Sequence, residues 1–298
     1  MSDRTLPWSA ALAAAATLAF ACSGGDARST PDAPGSSFGR LAVTLTVPRD
    51  GLPSTRTAAR LLRWRDLDPA LAGAFAGESL PEIGPGQCAV ADGEAVLDDA
   101  LAAASPDSSV ELLDAGEIVA TAAGHSTRLV PRYEPEILPF VSGVAYVAEG
   151  LPEAETAELI GGDVLVSAFG GEDVGRFDAT ATLPPLPRLL TIDGHDPAES
   201  STIEISRARD LELRWSAGGR LGDDTILVEL VWASGQIRCR PAEEGRLRIP
   251  EAKLAVIPEG SDLQIAVERG ARAPFSAPGL EAGELEAAVR DAVGVKVW

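Results

Sequence analysis

Histidine, the side chain used most often for acid–base catalysis, is scarce in this chain. The two histidines lie in Gly124-His125-Ser126 and Asp193-Gly194-His195-Asp196. Both segments have the composition of turns. A Ser-His-Asp mechanism would set its serine at a sharp strand-to-helix elbow, and we predict none. We therefore expect both histidines to be turn or surface residues and identify no catalytic set.

Carboxylates are abundant and support two further hypotheses. The densest acidic loops are weak candidates for calcium, which requires several oxygen ligands at close spacing. Their residues are Asp92, Glu94, Asp98, Asp99, Asp223 and Asp224. Neither loop matches an EF-hand, so solvated acidic loops are the alternative. Paired carboxylates could also serve a hydrolase, since such pairs have no fixed sequence spacing.

Trp215 and Trp232 end two candidate strands. Both continue the apolar face of the alternation, which favours packing in a core. A sugar-stacking platform is the functional alternative.

Cys22 has the most specific setting of the three cysteines. It ends Ala19-Phe20-Ala21-Cys22, directly after an apolar run over 8–21. That run is too short to span a membrane and has the length of a signal peptide core. The four residues resemble a lipobox, which implies a covalent lipid such as palmitate on Cys22 after cleavage. Ala-Phe-Ala also fits ordinary signal cleavage, which would leave a free secreted protein.

The segment after Cys22 has almost nothing to bury and is rich in Ser, Gly, Asp and Pro. We predict a signal peptide over 1–21 and a lipidated Cys22 with a disordered tether over 22–37. Ser23 is not an acidic retention residue, which favours the outer membrane, facing the periplasm or the surface.

Cys88 and Cys239 remain. In an oxidising compartment they could form a disulfide. Two buried cysteines that behave as small hydrophobic side chains are the alternative.

The charge of the chain excludes one class of partner. The 45 acidic and 25 basic residues give a net charge of −20. Such a surface repels phosphate backbones, so we expect no nucleic-acid ligand. No cofactor is predicted apart from the covalent lipid.

Period-two alternation recurs along the exported chain and predicts an all-β fold. Leu41, Val43, Leu45 and Val47 share one face of a strand. The pattern leaves helix or strand open at 57–65 and 281–292, and it suggests a short helix at 68–76. Asp114-Ala115-Gly116 is interpreted as a hairpin turn. Three prolines in 183–187 mark a boundary, so we predict a β-rich domain over 38–183 and a β-sandwich domain over 186–298.

The chain resembles predicted surface lipoproteins of high-GC Gram-negative bacteria that carry Ig-like β-sandwich modules. The resemblance covers most of residues 86–270. Its motifs are Gly86-Gln87-Cys88, Leu112 to Gly116, Gly170-Gly171 before Phe177, Leu213-Arg214-Trp215, Gly218-Gly219, Val228-Glu229-Leu230, Ile237-Arg238-Cys239, Gly245 and Ile249-Pro250. It implies two Ig-like domains on a lipid tether and no known activity.

The sequence therefore favours a non-enzymatic envelope lipoprotein over a secreted or envelope hydrolase that uses carboxylates. The expected partners are the membrane, through the lipid, and a protein or glycan ligand, unless the role is structural. A subunit of a larger surface assembly is a third hypothesis.

Overall fold

Alternating apolar and polar residues form the strands that dominate this computed structural model. It describes residues 35–49, 51–68, 72–73, 75–76, 83–91, 107–134, 141–150, 156–200, 202–216 and 224–298. Of these described residues, 59% are in strands and 4% in helices, which confirms the predicted all-β class. Strand β1 (Ser36–Pro48) shows the rule at its simplest, because Leu41, Val43 and Leu45 are buried in alternation with less buried neighbours.

Within the described residues, eleven strands form one large sheet. In spatial order they are β3 (Gln87–Ala91), β15 (Gly235–Arg240), β14 (Thr225–Trp232), β17 (Asp262–Phe275), β18 (Ala282–Val297), β1, β2 (Ser54–Arg65), β4 (Ser109–Leu112), β8 (Val141–Glu149) and β7 (Val130–Glu134), with β12 (Glu204–Ile205) paired to β18. The strands β1 and β18 run parallel, and most other neighbours run antiparallel.

Two smaller sheets accompany the large one. Their strands, in spatial order, are β10 (Phe177–Thr182), β9 (Asp163–Ala168), β5 (Ile118–Ala122) and β6 (His125–Arg128) in one, and β11 (Leu189–Ile192), β13 (Leu211–Trp215) and β16 (Arg246–Ile249) in the other. Two single-turn helices are α1 (Thr156–Leu159) and α2 (Glu251–Leu254). Pro250 precedes α2 in an extended conformation.

Residues Gly35–Trp298 form one compact unit with two principal apolar cores. Most residues of the first core lie in the N-terminal part of the chain, between Leu41 and Leu186. Strand β18 contributes Leu285, Ala287 and Val289 to the same core. The second begins at Leu189 and takes Val293, Val295 and Val297 from the same strand. Along the chain, the contribution to the first core ends and the contribution to the second core begins at the Pro-rich segment 183–187. Strand β18 contributes to both cores. The two predicted domains stay a prediction, because the large sheet draws strands from both sides of that segment.

The structure decides both segments that the sequence pattern left open. Residues 57–65 lie within β2, and residues 282–292 lie within β18. Long cross-strand pairing determines the outcome, since β18 is hydrogen-bonded to β17 on one side and β1 on the other. The predicted helix at 68–76 is only partly described, and residues 72–73 and 75 are helical there. At the N-terminus, β1 begins at Ser36, inside the stretch predicted as tether.

The predicted hairpin at Asp114-Ala115-Gly116 is wrong. Strand β4 belongs to the large sheet, whereas β5 belongs to the four-stranded sheet. The chain therefore crosses between sheets at this turn. It crosses back at the buried Leu129, which separates β6 in the four-stranded sheet from β7 in the large sheet.

Asp114 organises the first crossing. Its Oδ1 accepts hydrogen bonds from the Tyr146 hydroxyl at 2.7 Å and from the Gly116 N–H at 2.8 Å. The Tyr146 hydroxyl accepts in turn from the Ala115 N–H at 3.0 Å. The Tyr146 hydroxyl, aided by the Gly116 N–H, lowers the pKa of the Asp114 carboxyl. A backbone that would otherwise be unpaired between two sheets is thereby satisfied.

Cys88 and Cys239 form a disulfide between β3 and β15, where they stand directly opposite each other. Cys239 is fully buried in the second core, and Cys88 packs against that core. The bond joins residues 151 positions apart. It fastens the edge strand β3, which comes from the N-terminal half, to strands of the C-terminal half.

Removing this bond should destabilise the fold. In the double variant Cys88→Ala, Cys239→Ala we expect the free energy of unfolding to fall by about 2–5 kcal/mol, because the unfolded chain regains the entropy of a long loop. Chemical denaturation of oxidised wild type and double variant measures the difference. Reduced wild type is the matched control and should resemble the variant. Two free thiols at these positions in the unreduced native protein would contradict the assignment.

Candidate functional site

The large sheet has one face toward the two principal cores and an opposite face, here called the outer face. The outer face carries charged side chains on β14, β17 and β18 and a third apolar cluster, around Leu62 and Val110, on β2 and β4. Two consecutive rows across β14, β17 and β18 define it, namely Glu229, Ala266 and Ala292, followed by Val231, Gln264 and Gly294. Paired residues on neighbouring strands point to the same side of a sheet. The residues between these rows, such as Leu230 and Ile265, belong to the second core.

A chain of four charged side chains crosses the outer face. Arg290 Nη2 lies 2.7 Å from Glu229 Oε2 and 2.5 Å from Glu268 Oε2. Arg238 Nε donates to Glu229 Oε1 at 2.6 Å. The four residues come from β15, β14, β17 and β18. One ion-paired network therefore links four adjacent strands.

Burial dominates the electrostatics of this network. It raises the pKa of Glu268, although Arg290 opposes the shift, and nearby Glu229 adds to it. Burial also acts to lower the pKa of Arg290, but Glu268 and Glu229 outweigh it and raise that pKa. Arg290 is thus charged at any ordinary pH, and its charge makes the burial of two carboxylates tolerable.

The two carboxylates of this network are barely accessible to a bound molecule. The side chains of Glu229 and Glu268 are only 3% and 8% exposed. Both carboxylates already accept from arginine, so neither is placed to exchange a proton with a bound molecule. These two facing carboxylates consequently brace the sheet.

A further buried carboxylate, Asp291, interrupts the core face of β18 between the two cores. Its Oδ2 accepts from the Leu189 N–H at 2.7 Å and from Arg49 Nη2 at 3.1 Å. Arg49 Nη2 also donates to the Leu189 carbonyl at 2.7 Å. Burial raises the pKa of Asp291 despite the opposing Leu189 N–H, Arg49 and Arg188. The hydrogen bonds among Asp291, Arg49 and the Leu189 backbone fix the position of the chain where the Pro-rich segment ends and β11 begins.

An open groove of about 570 Å³ lies at one end of the outer face. Its lining includes Val231, Gln264 and Gly294 from the second row, and Asp262 with Lys296 from the next. Lys296 Nζ stands 3.9 Å from Asp262 Oδ1, and both side chains are largely exposed. Thr202, Trp232, Ala233, Leu263 and Val295 complete the lining. Volumes in this range are typical of small-molecule sites.

The structure separates the predicted chemistry-bearing residues. His125 begins β6 directly after a turn, and His195 is exposed in a turn where Asp193 and Gly194 have φ of 52° and 83°. The prediction of a turn or surface residue is confirmed for His195, whereas His125 is a half-buried strand residue next to the turn.

Trp215 and Trp232 are 3% and 9% exposed and belong to the second core, which confirms the core interpretation for both. They lie in different sheets, since β13 is in the three-stranded sheet and β14 in the large one. They therefore do not form a shared platform. Trp232 is also among the residues that line the groove, although its side chain belongs to the second core, and its Nε1 donates to Ser234 Oγ at 3.1 Å.

The lipidation and calcium predictions fall mainly outside the described residues. Cys22, Asp92, Glu94, Asp98, Asp99 and Asp223 all lie there, and only Asp224 is described. In the described part of the chain no group of three or more His, Cys, Asp or Glu is arranged to hold a metal ion. Both predictions stay predictions.

One sequence pattern has the spacing of a nucleophile elbow. Gly35-Ser36-Ser37-Phe38-Gly39 fits Gly-x-Ser-x-Gly. Ser37, however, lies within strand β1 and is buried, and its Oγ accepts from the Glu281 N–H at 3.0 Å. A catalytic elbow requires an exposed Oγ at a strand-to-helix turn, so this serine has a structural role.

Sequence reasoning missed the charged residues that organise the sheet. Asp291 had a detectable signal, because it breaks the apolar alternation Val289, Val293, Val295 on one face of β18. Glu229, Glu268 and Arg290 carry no such signal. They stand at alternate positions that look solvent-exposed in each strand taken alone.

No helix among the described residues combines the length and the apolar character needed to cross a membrane. No protein-family model matches the chain, and no match is found among curated proteins.

Removing the central arginine should destabilise the sheet strongly. We expect Arg290→Met to lower the free energy of unfolding by about 3–5 kcal/mol, because two buried carboxylates lose their shared partner. Urea denaturation near neutral pH measures the loss. Adding Glu229→Gln and Glu268→Gln should recover part of it, since the like charges are then gone. A triple variant less stable than Arg290→Met would contradict a network whose main function is charge neutralisation.

Asp291 should impose a recognisable pH dependence on stability. Its pKa is raised from 3.8 in the folded state, so its contribution is fully present below about pH 4 and is lost as pH rises through the folded-state value. Wild type should therefore lose stability relative to Asp291→Asn across that range, by about 1.4 kcal/mol for each pH unit. Denaturation of both proteins between acid and neutral pH measures this. The exposed Glu199→Gln is the control, and a wild type that gains stability relative to Asp291→Asn contradicts the assignment.

Proposed function

We propose that this chain is a non-enzymatic envelope lipoprotein with an all-β body that binds a ligand or serves structurally. In this proposal a lipid on Cys22 holds the protein to the outer membrane, facing the periplasm or the surface. The two cores correspond to two Ig-like sandwich modules that share β17 and β18. The ligand is a protein or a glycan.

The observation that carries the proposal is the disulfide between Cys88 and Cys239. Structural disulfides persist in oxidising compartments and are rare in the cytosol. This bond therefore supports export, independently of the apolar run that precedes Cys22. It also leaves Cys22 as the remaining cysteine of the three in the sequence, which suits a separate role for its thiol.

The geometry of the charges supports a binding or structural role. The facing carboxylates Glu229 and Glu268 are buried against Arg290. The accessible groove instead presents Gln264, Asp262 and Lys296, groups that suit recognition of a polar ligand. Anchoring by acyl chains would hold such a body at a bilayer, provided that two or more chains are attached.

The anchor is the most direct test. Wild type expressed in a Gram-negative host should incorporate labelled palmitate and fractionate with membranes. Cys22→Ala should lose both the label and the membrane association, because the thiol that receives the lipid is gone. Gel autoradiography and fractionation measure the two effects.

Cys88→Ala, Cys239→Ala serves as the matched control, since it removes two thiols but should keep the label. Unlabelled wild type, together with Cys22→Ala that still fractionates with membranes, would overturn the lipoprotein proposal. Release of unlabelled wild type into the medium would instead identify a free secreted protein.

A further inference from the structure

The groove at the end of the outer face is formed by a local loss of side-chain volume. Along β18 the outer-face residues run Arg290, Ala292, Gly294, Lys296. A Cβ placed on Gly294 would meet no atom within 4 Å. The neighbouring row, Ala266 and Ala292, is buried and lies outside the groove. The sheet therefore offers a depression above Gly294, with the larger polar side chains of Gln264, Asp262 and Lys296 around it.

The polar side chains of the groove place hydrogen-bond donors next to hydrogen-bond acceptors. Gln264 carries an amide donor and a carbonyl acceptor on one side chain. The carboxylate of Asp262 accepts and the ammonium of Lys296 donates, and the two stand 3.9 Å apart. Thr202 adds a hydroxyl, which does both. The charges of the lining cancel, although the whole chain carries −20.

A hydroxyl group both donates and accepts a hydrogen bond, so neighbouring hydroxyls on a sugar ring match such donor–acceptor pairs. Val231, which shares the outer face with Gln264, supplies apolar surface for the C–H groups of the ring. A strongly charged ligand would be repelled by whichever member of the Asp262–Lys296 pair carries the same charge. An anionic ligand would also be repelled by the negative net charge of the whole protein.

We propose that this groove binds a neutral glycan. The inference rests on the proposed function, of which it specifies the ligand. The ligand class is a short, uncharged oligosaccharide whose hydroxyls pair with Gln264, Asp262 and Lys296, and whose ring lies over Gly294.

Gly294→Val is the discriminating variant. The added side chain enters open space, and valine suits a strand, so the fold should be retained while the floor of the groove is filled. Ala282→Val is the matched control. It adds a similar side chain on the same face of the same strand, about 40 Å away along it.

The full chain, purified without sugar-based detergents, is titrated with neutral oligomers of glucose, galactose and N-acetylglucosamine. Calorimetry and saturation-transfer NMR report binding, and circular dichroism with thermal unfolding reports folding. We expect wild type and Ala282→Val to bind one neutral oligomer alike, and Gly294→Val to bind it at least about tenfold more weakly.

Three outcomes overturn the inference. These are no binding of any neutral oligomer by wild type, equal binding by Gly294→Val and wild type, and tighter binding of uronic-acid oligomers or of a charged peptide at the Gly294 site. Palmitate labelling of Cys22 is independent of the groove. A protein that incorporates palmitate but binds no sugar would therefore contradict the glycan inference and leave the proposed lipid anchor supported.

Discussion

The rest of the fold depends on the pairing of β17 and β18, which run through both apolar cores. The strand β18 also pairs with β1 along eleven positions. A strand that serves two cores must cross the gap between them, where apolar packing is interrupted. Asp291 lies at this point and is fully buried. It is tolerated because the Leu189 N–H and Arg49 satisfy one of its oxygens.

Charge is used differently on the two faces of the large sheet. On the core face, Asp291 fixes the path of the chain between two cores. On the outer face, Arg290 joins Glu229 and Glu268, so that three strands share one ion-paired group. Burying such a network costs desolvation energy, which the attraction between its charges offsets. Its burial also separates it from the groove, where Asp262 and Lys296 are exposed.

A strand could be predicted from the sequence where one of its faces is buried and the other is exposed, because apolar and polar residues then alternate. Leu41, Val43 and Leu45 alternate strictly and form β1 as expected. The turn at Asp114 was not predictable as a crossing, because a hairpin and a change of sheet share the same turn residues. The Tyr146 hydroxyl, which binds Asp114 from another strand, makes the difference, and no local pattern includes it.

The sequence by itself determined the all-β class, the turn position of His195, and the burial of Trp215 and Trp232. These follow from local alternation and turn chemistry, which act over a few residues. Only the tertiary structure decided that residues 282–292 extend β18, that Cys88 meets Cys239, and that Glu229, Glu268 and Arg290 converge. The physical reason is that strand pairing joins residues far apart in the chain, and the identity of a partner strand is absent from the pattern of either strand alone.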